Sequence, residues 1–170
     1  MATINCQRNR QAIQAYLAYR AYDAAVSKEA TLPAGAANDT QPARRRLRIL
    51  IADDERDQVT TLAAILNDEG HEVREVYRGT EVLRLIADFS PDVALVDIGM
   101  PGMSGYDVAR EVRANYGKNG PLLIAVTGWK KPSDRILAQI AGFDHHLGKP
   151  FESHQLLELI EPLAAGSARS

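Results

Sequence analysis

Five short strand-like runs, at residues 47–52, 71–77, 93–97, 122–126 and 145–147, alternate with segments whose apolar residues recur at helical spacing. The runs at 93–97 and 122–126 are apolar without alternation, which is the texture of a strand buried on both faces. A strand-then-helix unit repeated five times joins parallel strands through right-handed crossovers and covers one sheet with helices on both sides. The chain is therefore expected to be an α/β protein. Val59, Leu62, Ala63 and Leu66 form the first helical stripe, with Gly70 where a C-terminal cap belongs. Thr80 is expected to cap a helix carrying Val82, Leu83, Ile86 and Phe89, closed by Ser90 and Pro91. Residues 104–116 turn Val108, Ala109 and Val112 inward, and a helix starting at Pro132 bears Ile136, Leu137 and Ile140 up to Gly142. The last helix carries Leu156, Leu159, Ile160 and Leu163 behind a Ser153 cap, with Pro162 expected to end or bend it early.

The remainder divides by composition. Residues 1–30 read as an N-terminal helical extension, with Ile13, Leu17 and Ala21 beside Tyr16 and Tyr19. The pattern reads as a partly frayed leader helix or, with its tyrosines facing a partner, as a docking or dimerisation helix. Residues 31–46 collect Pro, Gly, Ala, Asn and Asp and read as a linker, 47–165 as the main domain and 166–170 as a disordered tail. With 45% hydrophobic and 25% charged residues, the chain has material for one core. The net charge of −2 gives no reason to expect nucleic acid or an anionic membrane as a partner. Arg44, Arg45, Arg46 and Arg48 lack interleaved aromatics and read as the solvated approach to a strand. Cys6 is the single cysteine, so no intramolecular disulfide forms, and no apolar run has membrane length. The cytoplasm is the expected location.

The strand ends carry the chemistry. The first strand stops at Asp53 and Asp54, the third at Asp97, the fourth at Thr127 and the fifth before Lys149. Right-handed crossovers bring these ends to one edge of the sheet, where ligands bind in open α/β folds. Singly, such residues are turn formers or solvated charges. Together they match phosphoryl transfer to a carboxylate, with Asp97 as nucleophile. Clustered carboxylates call for a cation, and magnesium takes oxygen ligands such as Asp53, Asp54, Asp97 and the backbone carbonyl of Gly99. Thr127 and Lys149 would neutralise the oxygens of the transferred group.

The segments I-A-D-D at 51–54, V-D-I-G-M-P-G-M-S-G at 96–105, V-T-G at 126–128 and G-K-P-F at 148–151 resemble the receiver domain of two-component response regulators. The resemblance spans residues 47–163. It implies a (βα)5 flavodoxin-like three-layer sandwich with a parallel sheet of order 2-1-3-4-5, and a cis bond between Lys149 and Pro150. It also implies magnesium at Asp53 and Asp54, phosphorylation of Asp97 by a histidine kinase or phosphotransfer protein, and switching through Thr127 and Lys149. An unknown downstream protein would then bind over residues 133–141, 145–147 and the last helix. A receiver of this kind is not an enzyme beyond its own phosphorylation and dephosphorylation. Two positions depart from the family's commonest pattern. His146 stands where a Tyr or Phe rotamer switch is usual, and Trp129 lies two residues after Thr127. Gly99 and Trp129 flank the path of a water attacking the phosphoryl group. Neither is a general base, and the indole can cover the site, so slow hydrolysis is expected.

Two other functions compete. A relay or phosphate sink would share the chemistry and lack a dedicated target. A magnesium-dependent phosphohydrolase would need a second carboxylate two residues beyond the nucleophile, where this chain has Gly99. No P-loop motif is present, and Gly99, Gly102 and Gly105 are spaced as turn glycines, not as a dinucleotide fingerprint.

Overall fold

The computed structural model describes residues 44–128 and 132–166, together with Gln14 and Ala18, which are helical and exposed. Most of the expected N-terminal helix and linker, Trp129 and most of the expected tail lie outside the described residues. The elements run β1 (Arg48–Ala52), α1 (Arg56–Asp68), β2 (Glu72–Val76), α2 (Gly79–Phe89), β3 (Val93–Asp97), α3 (Gly105–Tyr116), a 3-10 turn (Gly117–Asn119), β4 (Leu122–Thr127), α4 (Pro132–Ala141), β5 (His145–Gly148) and α5 (Ser153–Ala164). All strands pair in parallel, in the order β2-β1-β3-β4-β5. This is the flavodoxin-like sandwich that the resemblance implies.

Strand alternation divides the apolar residues between two layers. Leu50, Ala52, Ala94 and Val96 face one side, packing with Val82, Ile86, Val108 and Val112 from α2 and α3 and with Ala138 and Ala141 from α4. Ile49, Ile51, Leu95 and Ile124 face the other, against Val59 and Leu66 of α1 and Leu156 and Ile160 of α5. Leu50, Leu66, Leu95 and Leu156 are among the fully buried side chains, each worth roughly 1.5–3 kcal/mol relative to exposure. Such a double layer holds β3 and β4 rigidly in the middle of the sheet, and their ends are where the polar residues emerge.

Several local details differ from the sequence expectation. Helix α2 begins at Gly79 behind Arg78 and uses no side-chain cap from Thr80. A Cβ at Gly79 would overlap the Met103 carbonyl, so the helix start is set by a close approach to the β3–α3 loop. Helix α5 starts behind Glu152, whose N–H donates to Gln155 Oε1 at 2.9 Å, and Ser153 is its first residue. It continues to Ala164 with Pro162 inside the last turn, where the missing N–H removes only one bond. The larger difference lies in α4. Ile136, Leu137 and Ile140 are 58%, 49% and 76% exposed, whereas Asp134, Ala138 and Ala141 are buried. Small side chains let α4 approach its neighbours closely, and the large aliphatic stripe turns to solvent. Two helix ends match expectation: Gly70 takes φ +89° after α1, and Gly142 follows α4 at φ +108°. The structure adds a cap at Ser104, whose Oγ accepts the Asp107 N–H. The Lys149–Pro150 bond is cis.

Candidate functional site

The parallel registers bring Asp53, Asp97, Thr127 and Lys149 to the carboxyl edge of β1, β3, β4 and β5. Asp97 is the last residue of β3 and is 7% exposed. Its Oδ2 accepts the Gly99 N–H at 2.6 Å, and its Oδ1 stands 3.1 Å from Lys149 Nζ. Lys149 Nζ also bonds Asp53 Oδ2 at 2.6 Å and lies 3.7 Å from Glu55 Oε1. The other Asp53 oxygen accepts the Glu55 N–H at 3.0 Å, so the carboxylate shapes the turn that begins α1. Lys149 is itself placed from the backbone, its N–H donating to the Thr127 carbonyl at 2.8 Å.

Charge and burial oppose each other in this cluster. Burial pushes the Asp97 carboxyl above its usual range; the Lys149 ammonium pulls it back, and the nearby Asp53 carboxylate adds to the rise. For Lys149, burial works against the ammonium, but hydrogen bonds and charge from Asp53 and Asp97 outweigh it and hold its pKa above the ordinary lysine value. Asp97 thus stands as a largely desolvated carboxylate whose charge is balanced by one half-buried cation and one backbone N–H. The Asp97 carboxylate and its charge partner are within contact distance.

Of the residues singled out in the sequence, Asp53, Asp97, Gly99 and Lys149 meet directly. Gly99 does so through its N–H. Thr127 is 2% exposed at the end of β4, with interactions of its own. Asp54 is exposed beside Asp53. His146 is half-buried on β5 opposite Ala125, and its Nε2 is buried with no hydrogen-bond partner among the described residues. Trp129 lies outside the described residues. Two contributors were not legible in the sequence. Glu55 adds a third carboxylate to the lysine; its place in the Asp53-Asp54-Glu55 run was the available signal. Gly105 starts α3 where a Cβ would come within 2.5 Å of the Asp97 carbonyl oxygen, so it is a packing glycine behind the site as well as part of a turn.

No group of three His, Cys, Asp or Glu side chains among the described residues is arranged to hold a metal ion. The donor chemistry nevertheless fits a hard cation, because the acidic side chains supply oxygens only and the Gly99 carbonyl has no side chain to screen it. Between Asp53 and Asp97 the positive charge is the Lys149 ammonium. Among the described residues no helix is long and apolar enough to cross a membrane.

Comparison with known proteins identifies the family to which this fold belongs. The response regulator receiver domain model matches residues 49–161. Protein PilH of Pseudomonas aeruginosa is 32% identical over 119 residues, covering 70% of this chain and 98% of its own. The DNA-binding response regulator MtrA of Mycobacterium tuberculosis is 32% identical over 112 residues, 66% of this chain, which spans 48% of that longer protein. Among solved structures, a response regulator from Chloroflexus aurantiacus superposes with a TM-score of 0.65 at 30% identity, over 71% of this chain and 99% of the other. A CheY-like receiver domain protein from Methanospirillum hungatei gives the same TM-score and identity over 72% and 96%. A buried aspartate closing the central strand of a 2-1-3-4-5 sheet, in contact with the lysine that follows β5, is thus accompanied by a family match over most of the folded chain. This chain belongs to the response regulator receiver domain family of two-component signalling.

Proposed function

We propose that Asp97 accepts a phosphoryl group from a histidine kinase or phosphotransfer protein. An Asp97 oxygen attacks phosphorus, the P–N bond of the phosphohistidine breaks, and the imidazole leaves with a proton. The observation that carries this reading is the contact of Lys149 Nζ with both Asp97 Oδ1, at 3.1 Å, and Asp53 Oδ2, at 2.6 Å. Lys149 loses none of its charge at neutral pH and offsets the negative charge that gathers on the phosphoryl oxygens. Thr127 offers its hydroxyl to the same group, and the Gly99 N–H orients the attacking carboxylate. Asp53, Asp54 and Asp97, with the Gly99 carbonyl, would hold Mg²⁺. The ion supplies charge neutralisation for the transferred group. Lys149 then exchanges its bond with Asp53 for contact with the phosphoryl group.

The output face comprises α4, β5 and α5, where Ile136, Leu137 and Ile140 offer apolar surface to a downstream protein. Residues 47–165 form the receiver unit; 1–30 and 31–46 are its helical extension and linker, 166–170 its tail, and the extension is a candidate dimerisation element. Gly99 has no side chain to orient an attacking water, and an indole at position 129 covering the phosphoryl group would slow hydrolysis further. The test is labelling with acetyl phosphate in Mg²⁺ and in excess EDTA, followed by amide chemical-shift mapping of the parent and Thr127→Ala. Labelling should need Mg²⁺. Thr127→Ala should keep labelling and lose much of the response over α4 and β5. Equal labelling in EDTA contradicts the metal role, and an unchanged response contradicts the switch.

A further inference from the structure

Two side-chain polar atoms are buried without a hydrogen-bond partner among the described residues: the Tyr106 hydroxyl and His146 Nε2. A buried group left in this state costs free energy that any arrangement pairing it recovers. Both lie on elements packed against α4, Tyr106 on α3 and His146 on β5. The face that α4 presents to its neighbours is unusual as well. It consists of Ala138, Ala141 and the carboxylate of Asp134, which is 7% exposed in the first turn. That carboxylate acts on Tyr106: burial chiefly, and then the Asp134 charge, hold the phenol above its ordinary pKa. So α3 presents a donor unpaired among the described residues, and α4 an acceptor within electrostatic reach of it. Asp134 has interactions of its own, and a carboxylate can accept about four hydrogen bonds, which leaves capacity for one more.

The two residues hang from the two halves of the phosphoacceptor site. Tyr106 follows Gly105, whose backbone is pressed against the Asp97 carbonyl, so the start of α3 is fixed relative to the phosphoacceptor. Asp134 is the third residue of α4, joined to Thr127 through residues 128–131. We propose that Tyr106 and Asp134 are positioning residues forming a latch between α3 and α4: the hydroxyl donates to the carboxylate when the first turn of α4 moves toward α3, and a phosphoryl group on Asp97 favours that closed arrangement. The latch rests on the phosphoacceptor reading of Asp97. A ligand shifts such an equilibrium only by its differential affinity for the two arrangements, so losing the latch must weaken the ligand that selects it.

The test is a beryllofluoride titration of the full chain in Mg²⁺, read by amide chemical shifts over α4 and β5. The parent is compared with Tyr106→Phe, Asp134→Asn and the double variant. Tyr106→Phe should raise the half-saturating concentration by about 5- to 10-fold, the equivalent of one hydrogen bond. The double variant should be no weaker than the weaker single variant, because both remove one shared interaction. Without beryllofluoride the thermal midpoint of Tyr106→Phe should equal or exceed that of the parent, since an unpaired buried hydroxyl is gone; a merely structural tyrosine would lower it. Equal half-saturation in parent and Tyr106→Phe, or additive losses in the double variant, overturns the latch while leaving the phosphoacceptor reading intact. A parent that does not respond to beryllofluoride at all overturns both.

Discussion

Lys149 and His71 show burial acting on two basic side chains with different company. Lys149 keeps its proton because two carboxylates surround it. His71, 8% exposed between α1 and β2, uses its neutral ring: Nδ1 accepts the Leu47 N–H at 3.3 Å, tying the start of β1 to the start of β2. Burial lowers its pKa; the charges of Glu69 and Glu161 work against that, and Arg44 works with it. With a folded-state value below the ordinary one of about 6.5, the neutral ring stabilises the fold fully above that pH and progressively less as pH falls through the folded-state value. Urea unfolding followed from pH 7.5 to pH 5 should therefore show a loss of stability that His71→Phe flattens. The variant should itself cost about 1–3 kcal/mol at neutral pH by orphaning the Leu47 N–H. A parent with the same slope as His71→Phe would contradict this role. His71 was legible in sequence only as part of a β-rich run, because nothing local marks a side chain that bonds a backbone group 24 residues away.

At the scale of elements, the strand ends were readable and the helix faces less so. Asp53, Asp97, Thr127 and Lys149 each close an apolar run, and parallel topology carries them to one edge whatever the details. In α4, by contrast, Ile136, Leu137 and Ile140 mark a stripe, but helical spacing says which residues share a face and not which face meets the core. The buried side proved to be Asp134, Ala138 and Ala141. This arrangement makes a paired prediction. Ile140→Asp should change folding stability by no more than about 0.5 kcal/mol, as for an exposed position. Ala138→Leu should cost about 1–3 kcal/mol by overpacking the α4 contact. Urea unfolding of both variants decides it; a large loss for Ile140→Asp with none for Ala138→Leu would mean that α4 packs the other way round. Gly105 was legible as a turn glycine but not as a close approach, and Gly79 was not singled out at all, since the atoms they admit come from Asp97 and Met103 in another strand and loop.

Across the whole molecule the two edges of the sheet divide the work. At the amino edge Arg113 ties α3 to the segments that lead into β4 and β5, donating to the Gly142 carbonyl at 2.8 Å and to Asp144 Oδ2 at 2.6 Å, while the same Asp144 oxygen accepts the Leu123 N–H. At the carboxyl edge the polar groups converge instead on Asp97, where burial raises the carboxyl and Lys149 steadies it. One end fixes the frame and the other holds a desolvated carboxylate within it. In the proposed function this carboxylate alone takes the phosphoryl group. Acetyl phosphate labelling in Mg²⁺, reduction of the acyl phosphate with borohydride and tandem mass spectrometry of the peptides locate the modified residue directly, because reduction converts a phosphorylated aspartate to homoserine. Homoserine should appear at position 97 and nowhere else, and Asp97→Ala should yield none. Homoserine at another position in the parent, or any in Asp97→Ala, would contradict the assignment.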